Sequence, residues 1–133
     1  MKYTEKAEHV LTLAREAARE FKANYIGTEH LLTGLLREGG GVAFYVLTAN
    51  KIQEKQILEL IDQLVAPGSD VLLSEGDGLT PRAAKVLKMS EETAERFKSS
   101  AVGTEHILLS LIREGDNIAV RLLNTLGAQL PKI

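Results

Sequence analysis

The chain has 133 residues, 44% of them apolar and 26% charged, as expected for a soluble globular protein with one domain or two very small ones. The formal net charge of −2 and the scattered lysines and arginines argue against a nucleic-acid binder that depends on a basic face. The absence of cysteine excludes disulfides, thiol catalysis and cysteine-based zinc sites, and no apolar run approaches the ~18 residues of a membrane span. With no secretory signal visible either, we expect a cytoplasmic protein without membrane association.

An internal repeat organises the sequence. When the chain is shifted by 76 positions, 19 of the 46 pairs between residues 4–49 and 80–125 are identical. The motif Gly27-Thr28-Glu29-His30 falls on Gly103-Thr104-Glu105-His106. This self-similarity indicates a tandem duplication, in which each copy is one structural unit.

The first predicted helix of each copy follows a threonine. Thr4 and Thr80 can each cap the free N–H groups of a helix start. Pro81 then occupies the first helical position, where a missing N–H costs nothing. In copy one, apolar residues recur at three- and four-residue steps as far as Phe21, which predicts an amphipathic helix.

The second predicted helix begins at Thr28 and Thr104, which we again interpret as capping residues. It ends at Gly39 and Gly115, because glycine is favoured just past a helix C-terminus. This helix is rich in leucine in both copies. It is therefore the best candidate for the seam between them.

Shorter third helices are predicted at about Val42–Ala49 and Ile118–Thr125, and copy one adds a fourth helix, Gln53–Val65. No segment alternates as a strand does, so the predicted class is all-α. We expect a pseudo-twofold bundle of two four-helix repeats, because a unit of about 60 residues is marginally stable alone.

The predicted domain organisation is a single domain with repeat one at 1–66, a linker at 67–78 and repeat two at 79–133. The linker is rich in glycine, aspartate and serine. The second repeat is truncated, since its fourth helix would begin where the sequence ends. We therefore expect the chain to be a piece of a longer protein.

The candidate ligand-binding residues are two glutamates and two threonines. Glu29 and Glu105 lie in the first turn of their helices, where backbone N–H dipoles favour an ionised carboxylate. Thr4 and Thr80 begin helices whose bare N–H groups suit an anion. The threonine and glutamate of each copy are 25 residues apart. If they meet in space, each copy forms a pocket for a ligand with both a phosphate and a guanidinium.

Other interpretations of the motif stay open. The glutamates and threonines also fit ordinary helix-start chemistry. His30 and His106 invite an acid–base pair with the neighbouring glutamates, but adjacent helical side chains point about 100° apart, so we favour a packed or interhelical hydrogen-bonding role. The i,i+4 spacing of helical metal ligands is missing, and no Gly-Lys-[Ser/Thr] follows Gly39–Gly41. We predict no catalytic residue, no metal and no nucleotide hydrolysis by this chain.

Both copies resemble the Clp N-terminal repeat over nearly the whole chain. The resemblance rests on the helix starts and the repeated motif: Thr4-Glu5-Lys6-Ala7, Ile26 to Leu32, Leu36 to Gly39, Leu79 to Ala83, Val102 to Leu108 and Ile112 to Gly115. The Thr-Pro-Arg-Ala start of copy two is most similar to the ClpC-type AAA+ unfoldases. The resemblance implies an eight-helix domain above two ATPase rings. Such a domain receives unfolded substrates and MecA-like adaptors, and the substrate passes to the ClpP protease.

The resemblance also implies a ligand. ClpC-type domains recognise phosphoarginine, a degradation mark, in two pockets. By residue type, Glu29 and Glu105 match the positions at the guanidinium, and Thr4 and Thr80 match those toward the phosphate. No cofactor is implied in this domain, and ATP belongs to the parent protein.

The two copies also differ at the sites. Tyr25 corresponds to Ala101, so we do not expect the two pockets to be equivalent. Phe44-Tyr45 corresponds to Val120-Arg121, which puts an aromatic surface on one side only. Acidic residues in the predicted linker disfavour acidic ligands.

Three hypotheses follow for function. The leading one is the substrate- and adaptor-recognition domain of a ClpC-like chaperone. The second is a stand-alone double-repeat accessory protein of the Clp machine, and a Walker-bearing continuation of the gene would separate the two. The third, a small Glu/His hydrolase, requires Glu29 and His30 to converge in one cleft.

Overall fold

The computed structural model describes residues 2–64 and 78–128. Within these ranges the secondary structure is helical apart from two isolated parallel bridges. Copy one contains α1 to α4 and copy two α5 to α7: α1 Glu5–Glu20, α2 Thr28–Glu38, α3 Val42–Ala49, α4 Glu54–Leu64, α5 Pro81–Arg96, α6 Thr104–Glu114 and α7 Ile118–Thr125. The predicted all-α class is confirmed. The predicted linker, apart from its last residue, Gly78, and the end of the chain lie outside the described residues.

The helix starts and ends follow local chemistry. The Thr4 hydroxyl accepts a hydrogen bond from the Ala7 N–H at 3.1 Å, and Thr80 does the same for Ala83 at 3.1 Å. Gly39 and Gly115 end α2 and α6 with φ of 76° and 75°, a left-handed conformation that glycine adopts without strain. The predicted caps at these four positions are confirmed.

The two copies share one aliphatic core. Helix α2 packs against α6 and α7, and α6 packs against α3, so the second helices form the centre of the seam as predicted. Leu31, Leu35, Ile107 and Leu111 are completely buried there. Burial of each such side chain stabilises the fold by roughly 1.5–3 kcal/mol. A core shared by two copies buries more of these side chains than a single copy of about 60 residues could bury.

The capping role predicted for Thr28 and Thr104 is wrong in its detail. The residues that cap α2 and α6 are Gly27 and Gly103, and the threonines occupy the first helical position. The Thr28 hydroxyl instead accepts from the Ala119 N–H of α7 at 3.3 Å, and Thr104 accepts from the α3 residue Ala43 at 3.2 Å. Each threonine therefore caps a helix of the other copy, which ties the two repeats together.

An ion-pair cluster links α4 to α1 and α2 in copy one. Arg37 of α2 contacts Glu20 of α1 at 2.6 Å and Glu54 of α4 at 2.7 Å. These hydrogen bonds raise the pKa of the guanidinium. The Arg37 side chain is 16% exposed, so solvent screens the cluster less than a fully exposed pair.

We expect Arg37→Ala to lower the free energy of unfolding by about 1–2 kcal/mol, because it leaves two carboxylates without their cation and removes aliphatic packing. Urea unfolding followed by circular dichroism measures the change. The matched variant Arg113→Ala removes the corresponding arginine of copy two, which is exposed, and is expected to change stability by less than about 0.5 kcal/mol. Equal losses in the two variants would contradict the role given to the cluster.

Candidate ligand-binding site

Two backbone crossovers decide which residues meet. Tyr3 pairs with Val102, the residue before Gly103, and Leu79 pairs with Ile26, the residue before Gly27. The bridges are closed by short backbone hydrogen bonds, such as Thr4 N–H to the Val102 carbonyl at 2.9 Å. Each first helix therefore begins beside the second helix of the other copy.

The cavities consequently combine residues across the duplication. A cavity of about 470 Å³, here the Glu29 cavity, is bordered by Glu29 together with Thr80. A cavity of about 440 Å³, here the Glu105 cavity, is bordered by Glu105 together with Thr4. All four predicted residues lie at cavities, but pairing them within one copy was wrong. The correct partners belong to opposite copies.

The Glu29 carboxylate is buried and half satisfied. Its side chain has no exposed surface, and the Tyr25 hydroxyl donates to Oε2 at 3.2 Å. Among the residues that the structure describes, Oε1 has no hydrogen-bond partner. Burial raises the pKa of this carboxyl above its ordinary value, while hydrogen bonds from its own backbone N–H and from Tyr25 lower it. A buried acceptor without a donor is costly, and a ligand N–H would relieve that cost.

Two arginines, Arg82 and Arg121, line the Glu29 cavity together with Thr80. Arg82 contacts Glu114 at 2.7 Å and Asp116 at 3.0 Å, and Arg121 reaches Asp116 at 3.7 Å. Both guanidinium groups are more than half exposed, so they can turn toward a bound anion. Sequence reasoning missed these arginines. The position of Arg82 directly after Thr80-Pro81 could have signalled the first of them.

The Glu105 cavity is the counterpart, with a different lining. Glu105 is exposed, and Lys6 stands where the other cavity has Arg82. The Lys6 ammonium donates to the Gly40 carbonyl at 3.0 Å. Glu105 also borders an apolar groove formed with Val42, Phe97 and His106.

The histidines are buried, as the predicted packing role requires, but their hydrogen bonds lie at the start of their own helices and are not interhelical. His30 Nδ1 accepts a hydrogen bond from the Gly27 N–H at 2.9 Å, and His106 accepts from Gly103 at 2.8 Å. Each imidazole thereby satisfies the backbone N–H just before its helix, as a capping-box side chain does. Burial lowers the pKa of His30 to about 4, so the ring is neutral at pH 7. His30 does not border the Glu29 cavity, which disfavours the hydrolase hypothesis.

The described residues contain no group of three or more histidine or acidic side chains that could hold a metal ion. None of the described helices is long and apolar enough to cross a membrane. The fold and the cavities together define a tandem-repeat helical domain with a cavity at each junction between the copies.

Residues 2–126 match the Clp repeat (R) N-terminal domain, and the chain belongs to this family. It is 45% identical over 131 residues to the negative regulator of genetic competence ClpC/MecB of Bacillus subtilis, covering 98% of this chain and 16% of that protein. It is 41% identical over 127 residues to the chloroplastic chaperone protein ClpC of Pisum sativum, covering 96% of this chain and 14% of that protein. The chain thus spans about one sixth of the length of these relatives.

Solved structures agree with this assignment at the level of the fold. The N-terminal domain of the chaperone ClpD from Arabidopsis thaliana superposes with a TM-score of 0.81 at 20% identity, covering 98% of this chain and 88% of that one. The Hsp104 N-terminal domain from Candida albicans gives a TM-score of 0.75 at 16% identity, covering 98% and 85%. These likenesses confirm the predicted resemblance to Clp N-domains.

Proposed function

We propose that this chain is the substrate- and adaptor-recognition domain of a ClpC-like ATP-dependent chaperone in the cytoplasm. In this proposal it receives unfolded or phosphoarginine-marked proteins, directly or through a MecA-like adaptor, and the parent protein delivers them to a ClpP-type protease. The domain itself binds without catalysing a reaction and holds no cofactor, and ATP is used by the parent protein.

The observation that carries the ligand proposal is the unsatisfied Glu29 Oε1. Glu29 borders a cavity that is also lined by Thr80 and by two arginines. A guanidinium N–H supplies the donor that this oxygen lacks, and arginine side chains bind phosphate oxygens with charge-assisted hydrogen bonds. Phosphoarginine carries both groups on one side chain. Its guanidinium would lie at Glu29, and its phosphate at Thr80 and Arg82.

Calorimetric titration with free phosphoarginine tests the proposal. We expect saturable binding by the parent domain, weaker binding by Glu29→Ala and by Glu105→Ala, and no measurable binding by the double variant. Arginine and inorganic phosphate, each carrying half of the ligand, are expected to bind at least about 10-fold more weakly. Binding that survives in the double variant would remove the site assignment, and a parent domain that does not bind would remove the ligand.

Gly27 leaves space for the Glu29 carboxylate, so replacing this glycine tests the position of that carboxylate. A Cβ at Gly27 would overlap Glu29 Oε1 and come within 3.2 Å of the Tyr25 ring. The φ of Gly27 is −100°, so alanine fits the backbone and the conflict lies with the side chains alone. We expect Gly27→Ala to weaken binding at the Glu29 cavity by at least about 10-fold, through a displaced carboxylate.

Gly103→Ala is the matched control for this prediction. Its Cβ would overlap the Glu105 carboxylate in the same way, but Glu105 is exposed and can move into solvent at little cost. We therefore expect a smaller loss, of about 3-fold or less, at the Glu105 cavity. Titration of each variant, with circular dichroism to verify folding, measures both effects. If Gly103→Ala lost more binding affinity than Gly27→Ala, the glycines would not act by leaving space for the carboxylates.

A further inference from the structure

The residue two positions before the repeated motif is Tyr25 in copy one and Ala101 in copy two, and this difference affects the Glu29 carboxylate. Tyr25 is 6% exposed, and its hydroxyl donates to Glu29 Oε2 at 3.2 Å. Its ring contacts the His30 ring with a centroid distance of 5.5 Å, which fixes its orientation. The equivalent residue, Ala101, carries no donor. Only the Glu29 carboxylate is therefore held by a side chain of this kind.

The two carboxylates also differ in hydration. Glu29 is fully buried with one unsatisfied oxygen, so the cost of removing its water is already included in the folded state. Glu105 is exposed, so a ligand at this residue must first displace its water. A donor that reaches Glu29 therefore gains more free energy than the same donor at Glu105, because the buried group is preorganised.

The linings of the two cavities differ in charge. The Glu29 cavity is bordered by Arg82 and Arg121, which balance its two carboxylates. The Glu105 cavity is bordered by the cation Lys6 and by two carboxylates, since Glu5 replaces Pro81. Apart from Glu29 and Glu105 themselves, the lining carries one net positive charge in the Glu29 cavity and none in the Glu105 cavity, so the Glu29 cavity is more favourable for an anionic group.

We propose that the two cavities bind phosphoarginine with unequal affinity, that the Glu29 cavity is the tighter site, and that Tyr25 is the positioning residue that makes it so. This inference rests on the proposed function. Tyr25 orients the carboxylate by holding Oε2, and among the described residues Oε1 is left without a hydrogen-bond partner. The side chain that precedes the motif thus distinguishes the two sites of the duplicated domain.

Titration of the parent domain with phosphoarginine is expected to show two classes of site, the second at least about 10-fold weaker. Glu105→Ala removes the carboxylate of the other cavity, so that binding at the Glu29 cavity is measured by itself. In that background Tyr25→Phe, which keeps the ring and removes only the hydroxyl, is expected to weaken binding about 5- to 10-fold. Tyr45→Phe is the matched control. It removes an exposed hydroxyl outside both cavities and is expected to leave the affinity unchanged.

Two further measurements separate positioning from a purely structural effect. Because the Tyr25 hydrogen bond lowers the pKa of Glu29, its removal is expected to move the midpoint of the acid loss of binding to higher pH. In the reverse direction, Ala101→Tyr in a Glu29→Gln background is expected to tighten binding at the Glu105 cavity by several-fold.

The outcomes of this experiment distinguish the two proposals. Binding to two equal sites, or an unchanged affinity in Tyr25→Phe, would overturn the inference while leaving the proposed function intact. The absence of phosphoarginine binding in every protein would overturn the proposed function and the inference with it.

Discussion

Gly34→Leu is expected to lower the free energy of unfolding by more than about 3 kcal/mol. A Cβ at Gly34 would lie 2.5 Å from the Val10 carbonyl oxygen and 3.2 Å from the Ala14 backbone nitrogen, so α1 and α2 touch backbone to backbone at this point. Neither backbone can move without breaking its helix hydrogen bonds. A larger side chain must therefore push the helices apart and disturb the core, and overpacking of this kind costs about 1–3 kcal/mol or more.

Two variants calibrate this prediction. In Gly34→Ala the better helix propensity, worth about 1 kcal/mol, offsets part of the overlap, so we expect a net loss of about 1–2 kcal/mol. The equivalent residue in copy two is Ser110, whose hydroxyl lies 3.3 Å from that of Thr93. Ser110→Ala is expected to cost about 1 kcal/mol, the value of one buried hydrogen bond. Urea unfolding followed by far-ultraviolet circular dichroism measures all three, and a Gly34→Leu midpoint equal to that of the parent domain would contradict the close approach.

The local structure was predictable because its causes are local. The threonine caps and the terminal glycines act over three or four residues, and such spacings can be read in the sequence. The third helices, Val42–Ala49 and Ile118–Thr125, were predicted with the bounds that the structure has. The fourth helix was predicted one residue too long at its start, and its predicted last residue, Val65, lies outside the described residues.

The pairing of the site residues was not predictable, because it depends on contacts between distant residues. The 25-residue spacing suggested that Thr4 meets Glu29, whereas the bridge from Tyr3 to Val102 brings Thr4 to Glu105. A duplication makes the two pairings look identical in sequence, since each threonine has two equivalent glutamates to choose from. Only the path of the chain between the copies distinguishes them.

The motif also gave no indication of which of the two glutamates is buried. Glu29 and Glu105 stand in identical sequence contexts from Gly27 to His30 and from Gly103 to His106, yet one is fully buried and the other exposed. Tyr25 and Ala101, which precede these segments, were recognised as a difference between the pockets. Which of the two pockets this difference favours can be inferred only from the hydrogen bond between Tyr25 and Glu29 in the structure.

Acid is expected to destabilise this domain through His30. Burial lowers the pKa of the folded imidazole to about 4 from an ordinary value of 6.5. Between these values the unfolded chain binds a proton that the folded protein does not bind. Stability therefore falls as the pH falls from about 6.5 toward 4, by up to about 3 kcal/mol. Protonation would also place an N–H at Nδ1, where the Gly27 N–H already donates.

His30→Gln separates this effect from every other titration. Glutamine suits the third position of a helix, where its carbonyl can accept from the Gly27 N–H as a capping box requires, and it does not titrate. Glu29 is present in both proteins, and its raised pKa stabilises the fold as the pH falls, so its opposite contribution cancels in the comparison. We expect the urea midpoint of the parent domain to fall more steeply between pH 7 and pH 4.5 than that of His30→Gln. Parallel curves would mean that the imidazole is not held neutral by burial in the folded protein.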